Sequence, residues 1–247
     1  MAPRSLLSAY LLVGLLNAIA VATQNASAVT FTKPLLMPLL ALWLVAEQRR
    51  HWPIPQRWLL VGLAFAWVGD LLLMGDSDLL FALGIAAFLG TQVSYLVAFT
   101  RFRGLHFRRN IAAPHKPATG LVQRHRVLLI PFGAYLALLV ALVWPTAGDL
   151  RIPVVVYGLA LTAMAAAALN LVGRMPSGPS WVAFGGAVLF VLSDSLIAMT
   201  SLGPWPEAPW LGALVMVTYV VGQGLIAVGL VTGTRAVEEL RTRETKA

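Results

Sequence analysis

The sequence predicts an all-α fold: a polytopic membrane bundle of eight transmembrane helices. Three observations predict it. Of 247 residues, 59% are hydrophobic and only 11% are charged, a balance outside that of a soluble domain. The apolar residues form long runs without the ten-residue alternation of membrane strands, so the spans are helices. The basic residues gather between the runs, which turns the net charge of +8 into a topology signal.

The runs cover residues 5–23, 34–46, 57–74, 79–100, 127–144, 152–171, 181–201 and 210–232, most of them near the ~20 residues needed to cross a bilayer. Arg4 precedes the first, and Ala26-Ser27-Ala28 resembles a signal-peptide cleavage site. The run is long for that purpose and reads as a retained helix. The second is short and extends toward Phe31 or Glu47.

Between the fourth and fifth runs lies the longest loop, residues 101–126, with Arg101, Arg103, Arg108, Arg109, Lys116, Arg124 and Arg126 beside Pro114, Pro117 and Gly120. A basic loop of this kind sets topology close to anionic lipid, and it carries no nucleic-acid motif. After the eighth run, Glu238-Glu239-Leu240-Arg241-Thr242-Arg243 reads as a solvated helix extension or frayed tail. Residues 1–235 are thus the expected transmembrane domain and 236–247 a cytoplasmic tail.

With the N-terminus inside, sixteen of the eighteen Lys and Arg residues face the cytoplasm, and only Lys33 and Arg151 lie outside, with Asp76, Asp78, Asp149 and Glu207. The expectation is a multi-pass protein of the cell (inner) membrane with both termini cytoplasmic. A parallel 4+4 repeat is suggested by Lys33-Pro34 against Arg151-Ile152-Pro153, by Asp70 against Asp194, and by Gln92 against Gln223.

Asp70 and Asp194 lie well inside apolar runs, where an ionisable group is costly and marks a functional site. At 1.5 Å per residue, Asp70 sits roughly 7 Å and Asp194 roughly 12 Å below the outer ends of their helices, in a layer that Lys33 reaches from the start of the second helix. One lysine neutralises one carboxylate. The other must be protonated, hydrated or otherwise paired, so the two together offer an acid and a base or electrostatic stabiliser. A purely structural ion pair is the competing reading. Of the flanking serines, Ser193 and Ser195, at most one can orient Asp194, and the remaining polar residues in spans, among them Gln92, Tyr95, Tyr219 and Gln223, are expected to bond between helices.

Other chemistries find no residues. The chain has no cysteine, which excludes thiolate nucleophiles and thiolate metal sites. His51, His106, His115 and His125 all fall in loops, so no zinc-ligand cluster forms within the helices, and there is no nucleophile elbow or Ser-His pair. Neither metal nor cofactor is expected. Glycines such as Gly84, Gly90, Gly222 and Gly224 point to close helix packing.

Thr32-Lys33-Pro34-Leu35-Leu36-Met37, Gly69-Asp70 with Leu72, the Gly84/Phe88/Tyr95 spacing, Ser193-Asp194-Ser195, and Tyr219 with Gly222-Gln223 together resemble the lysoplasmalogenase (YhhN-like) family of eight-helix membrane proteins. The resemblance spans nearly the whole chain in motif order. It departs at Gln92, where the family pattern carries a histidine.

The resemblance implies hydrolysis of the vinyl ether bond of lysoplasmalogens, with a lysophospholipid as substrate and the lipid bilayer as surroundings. Catalysis would fall to Asp70 and Asp194. Lys33 would tune them or contact the lipid phosphate, and Tyr95, Tyr219, Gln223, Ser193 and Gln92 would contribute to substrate binding. Such chemistry needs a proton delivered to carbon, a stabilised oxocarbenium ion and an added water, roles that paired carboxylates can fill. An ion- or proton-coupled transporter and a non-catalytic lipid-binding relative are the alternatives.

Overall fold

The computed structural model describes residues 3–48, 52–102, 119–203, 205–206 and 208–246. Its helices are α1 (Pro3–Ala22), α2 (Ala26–Ala46), α3 (Ile54–Leu72), α4 (Asp78–Thr100), a single turn α5 (Leu121–Arg124), α6 (Ile130–Val143), α7 (Arg151–Leu169), α8 (Ser177–Ser201) and α9 (Pro209–Lys246). The eight apolar runs correspond to α1–α4 and α6–α9. Seven of these segments are long and apolar enough to span a membrane. The one that falls short is α3, whose hydropathy is lowered by Gln56, Arg57 and Asp70.

Local chemistry sets the helix ends. Gln24 turns the chain in the left-handed region at φ 54°, and the Asn25 side chain accepts the Ala28 N–H at 3.0 Å, so Ala26-Ser27-Ala28 is the capped first turn of α2. Ser77 caps α4 in the same way. At the other end of α4, Arg174 donates to the carbonyls of Phe99 (3.2 Å), Thr100 (3.3 Å) and Phe102, where a cation meets the negative end of the helix dipole. Burial pulls the Arg174 guanidinium below its ordinary value, but a guanidinium keeps its proton at physiological pH.

Two prolines, Pro34 and Pro38, lie inside α2. This corrects the sequence expectation at Lys33. The helix begins seven residues earlier than Lys33 rather than at it, so the lysine is about 10 Å along the helix at 1.5 Å per residue. Proline in a spanning helix is tolerated when neighbours satisfy the carbonyl it frees. Here the carbonyl of Pro34 accepts the indole N–H of Trp67 from α3.

Seven helices close a ring in the order α1, α2, α3, α4, α7, α8, α9 and back to α1, while α6 stands outside it against α7 and α8. Tyr10, Leu36, Leu40, Tyr95, Phe99 and Phe190 fill the middle. The tightest seam joins α8 to α9: a Cβ on Gly186 would stand 2.6 Å from the Ile226 nitrogen, and one on Gly229 would stand 2.5 Å from the Ala183 nitrogen. Without a water-driven hydrophobic force between helices, this backbone approach supplies the packing. The 4+4 relation is not evident in this arrangement, because α1 belongs to the ring and its counterpart α6 does not.

The helix α9 runs unbroken through the expected tail, with Val237 buried, and Arg235 pairs with the Glu47 carboxylate beyond the end of α2. The segment 103–118 of the basic loop lies outside the described residues, as do Arg49, Arg50 and Glu207.

Candidate functional site

Lys33, Asp70 and Asp194 all lie toward the same end of the bundle, on α2, α3 and α8. Their environments differ. Asp70 is only 2% exposed. Its Oδ1 faces the Lys33 ammonium at 3.8 Å, and its Oδ2 accepts the Tyr219 hydroxyl of α9 at 2.7 Å. The ion pair expected from the sequence is therefore formed on this aspartate.

Asp194, 5% exposed, meets no cation at ion-pair distance among the described residues. Its Oδ2 accepts the Gln92 amide at 3.0 Å and the Tyr157 hydroxyl at 2.5 Å. Both partners are neutral. Asp194 is nonetheless linked to Asp70 through packed side chains: Phe88 lines one cavity with Asp194 and packs on Tyr219, which holds Asp70.

Between α4, α6, α7 and α8 lies a cavity of about 450 Å³. Its walls are apolar, with Phe88, Leu89, Leu139, Leu161, Ile197 and Ala198 among them, and the Asp194 carboxyl and Tyr157 provide its polar spot. Leu73, Phe81, Leu150, Ile152 and Leu202 also line it, which carries it to the end of the bundle where α3, α6 and α8 finish and where α4 and α7 begin. A cavity of this size and polarity suits an apolar ligand.

Of the eight residues singled out in the sequence, Asp194 alone lines this cavity. The others do not line it, because their polar heads are used on one another, on Asp194 or on the backbone. The Phe88 ring, part of the wall, packs edge-on against Tyr219 at 5.9 Å, and Tyr219 holds Asp70. Tyr95 donates its hydroxyl to Gln223 Oε1. Ser193 is committed to the α9 backbone, its Oγ donating to Val215 O at 3.2 Å. Ser195 donates to Val191 O at 2.5 Å and meets the Tyr135 hydroxyl. Neither serine turns to the Asp194 carboxyl.

Gln92 Oε1 and Gln223 Nε2 are buried without a partner in the described structure. An orphaned buried group of this kind costs about 1–3 kcal/mol, so the network is held at some expense to stability. The sequence reading passed over Tyr157 and Tyr135. The signal that drew attention to Tyr95, a hydroxyl in the middle of an apolar helix, was present for both.

A sequence model of the YhhN family matches residues 28–230. The chain belongs to the YhhN family. That family includes lysoplasmalogenases, and the match runs from the first turn of α2 through most of α9, so the whole polar network lies within it. No solved structure matches the chain. As a YhhN protein it is an all-helical, multi-pass membrane protein, and its described residues bring together no group of three His, Cys, Asp or Glu side chains able to hold a metal ion. His51, His106 and His115 lie outside the described residues.

Proposed function

We propose that this YhhN protein is a membrane hydrolase that cleaves the vinyl ether bond of lysoplasmalogens, releasing a fatty aldehyde and glycerophosphoethanolamine or glycerophosphocholine. The observation that carries the reading is an aspartate with neutral partners among the lining of an apolar cavity of about 450 Å³. Family membership supports the substrate class.

In this mechanism the apolar walls hold the alkenyl chain. Asp194, with no cation to hold it as an anion, gives its proton to the β-carbon of the vinyl ether. The positive charge that develops on the oxocarbenium carbon and oxygen is stabilised by two negative charges. One is the new Asp194 carboxylate, and the other is Asp70 behind Phe88, kept ionised by Lys33 and oriented by Tyr219. Water adds to the cation as Asp194 takes back a proton, and the resulting hemiacetal breaks into aldehyde and alcohol. The acid role thus falls to Asp194 and the electrostatic role to Asp70, on the basis of their different partners.

The orientation we propose has both termini cytoplasmic, supported by the distribution of Lys and Arg. The end of the bundle that the cavity reaches then faces the opposite side of the cell membrane. The test is aldehyde release from a lysoplasmalogen by purified protein in detergent. Turnover is expected from the native chain, with none from D194N at an unchanged melting temperature. Substrate flux into proteoliposomes without product would replace this reading with a carrier, and binding with neither flux nor product would replace it with a lipid-binding protein.

A further inference from the structure

Asp194 uses its two oxygens unequally. Oδ2 accepts two donors, Gln92 Nε2 at 3.0 Å and the Tyr157 hydroxyl at 2.5 Å. Oδ1 accepts none among the described residues, and it is not one of the sealed polar atoms without a partner, which are Asn17 Oδ1, Gln92 Oε1 and Gln223 Nε2. The residue lines the cavity, and with Oδ2 occupied, Oδ1 is the oxygen left free to face it.

A carboxyl oxygen has two lone pairs, and a carboxylic acid carries its proton on one oxygen only. On Oδ2 both lone pairs are engaged by N–H and O–H donors. The acidic proton has its place on the other oxygen. We infer that Gln92 and Tyr157 are positioning residues that assign the proton of Asp194 to Oδ1 and aim it into the cavity. This rests on the reading of Asp194 as the proton donor.

The arrangement suits transfer to carbon. An alkene carbon offers no lone pair to draw a misdirected proton, so the O–H must already point at the π face, within the narrow geometry that makes a bound pair reactive. When the proton leaves, Oδ2 keeps both donors where they were, and the new carboxylate is stabilised without rearrangement. Gln92 cannot itself give up a proton at neutral pH and Tyr157 is a poor acid, so neither competes with Asp194 as the source. The unpartnered Gln92 Oε1 agrees with this: the amide leaves its carbonyl unsatisfied while its NH₂ faces the carboxyl.

The experiment compares native protein with Y157F, Q92M and D194N in detergent. It measures steady-state turnover of a lysoplasmalogen and the infrared carbonyl band of the protonated carboxylic acid that D194N removes. Hydrogen bonds to a carbonyl oxygen lower its stretching frequency, so the band should move to higher wavenumber in Y157F and in Q92M. Turnover should fall about tenfold or more in each, part of the 10²–10⁴ that general acid catalysis supplies, with KM little changed.

An unmoved band, or a kcat in both variants equal to the native value while D194N is inactive, overturns the assignment. A rise in KM alone also overturns it, since it makes the two residues substrate contacts. Absence of the band and of aldehyde from the native protein overturns the hydrolase reading instead. If Y157F fails to fold, Q92M and its band carry the decision.

Discussion

The indole N–H of Trp67 on α3 donates to the carbonyl of Pro34 on α2 across 2.9 Å. That carbonyl is free because residue 38, which would bond it in a regular helix, is a proline without an N–H. The bond ties α2 to α3 within one residue of Lys33 and three residues of Asp70. Replacing Trp67 by Phe leaves the carbonyl unpaired at a cost of about 1–3 kcal/mol, read as a lower melting temperature in detergent. The double variant W67F/P38A restores an N–H to the helix and should recover much of the loss. Equal losses in the single and double variants would mean that the bond contributes packing alone.

The pair Lys33–Asp70 is asymmetric in burial, with side chains 15% and 3% exposed. Removing the lysine strands a carboxylate in a nearly dry site. K33M should therefore destabilise the fold by up to about 3–5 kcal/mol, the range for a buried pair broken on one side. The double variant K33M/D70N, which removes both charges, should be more stable than K33M. Thermal melting of the four members of this cycle gives the coupling, and additive losses would show that the two charges do not interact.

Much of this fold was legible in the sequence because a membrane span must satisfy its own backbone, which leaves a long apolar run as its trace. Three features escaped for physical reasons. Lys33 read as the start of a helix because Pro34 follows it, but α2 carries two prolines in its interior, and the carbonyl that the second of them, Pro38, frees is satisfied by Trp67, 33 residues from Pro34 in sequence. The cavity was not legible at all. It lies where residues of α4, α7 and α8 meet, with Leu139 of α6 at its edge, and no local pattern encodes a void. Asp70 and Asp194 stood out because intramembrane charge is rare. Tyr157 did not, because a tyrosine in an apolar helix is common until its partner is known.

Gly62 on α3 is a packing requirement set by Tyr95. A Cβ there would stand 2.3 Å from Cε1 and 2.6 Å from Cδ1 of that ring, which is wholly buried between Phe99 and Phe190 and bound to Gln223. The ring cannot swing aside without giving up that bond. G62A should cost about 1–3 kcal/mol by overpacking, and G62A/Y95L, with a smaller and more yielding partner, less than the sum of its parts. Chemical denaturation in detergent would measure both.

Ala198 lies one helical turn beyond Asp194 on α8 and lines the same cavity. If the cavity holds the substrate chain, a larger side chain at this point obstructs the path to the carboxyl without touching the network behind Phe88. Ala198 packs against the cluster of Leu139, Val143, Ala147 and Met199 on one side and borders the void on the other, so a phenyl ring turned into the void escapes the overpacking cost that G62A incurs. A198F should therefore keep a melting temperature close to the native value. Aldehyde release should fall, and more steeply for long alkenyl chains than for short ones, because the short chain leaves room for the phenyl ring. A uniform loss across chain lengths would indicate that the substitution disturbs Asp194 itself, and unchanged turnover of every chain would mean that the substrate reaches the carboxyl by another route.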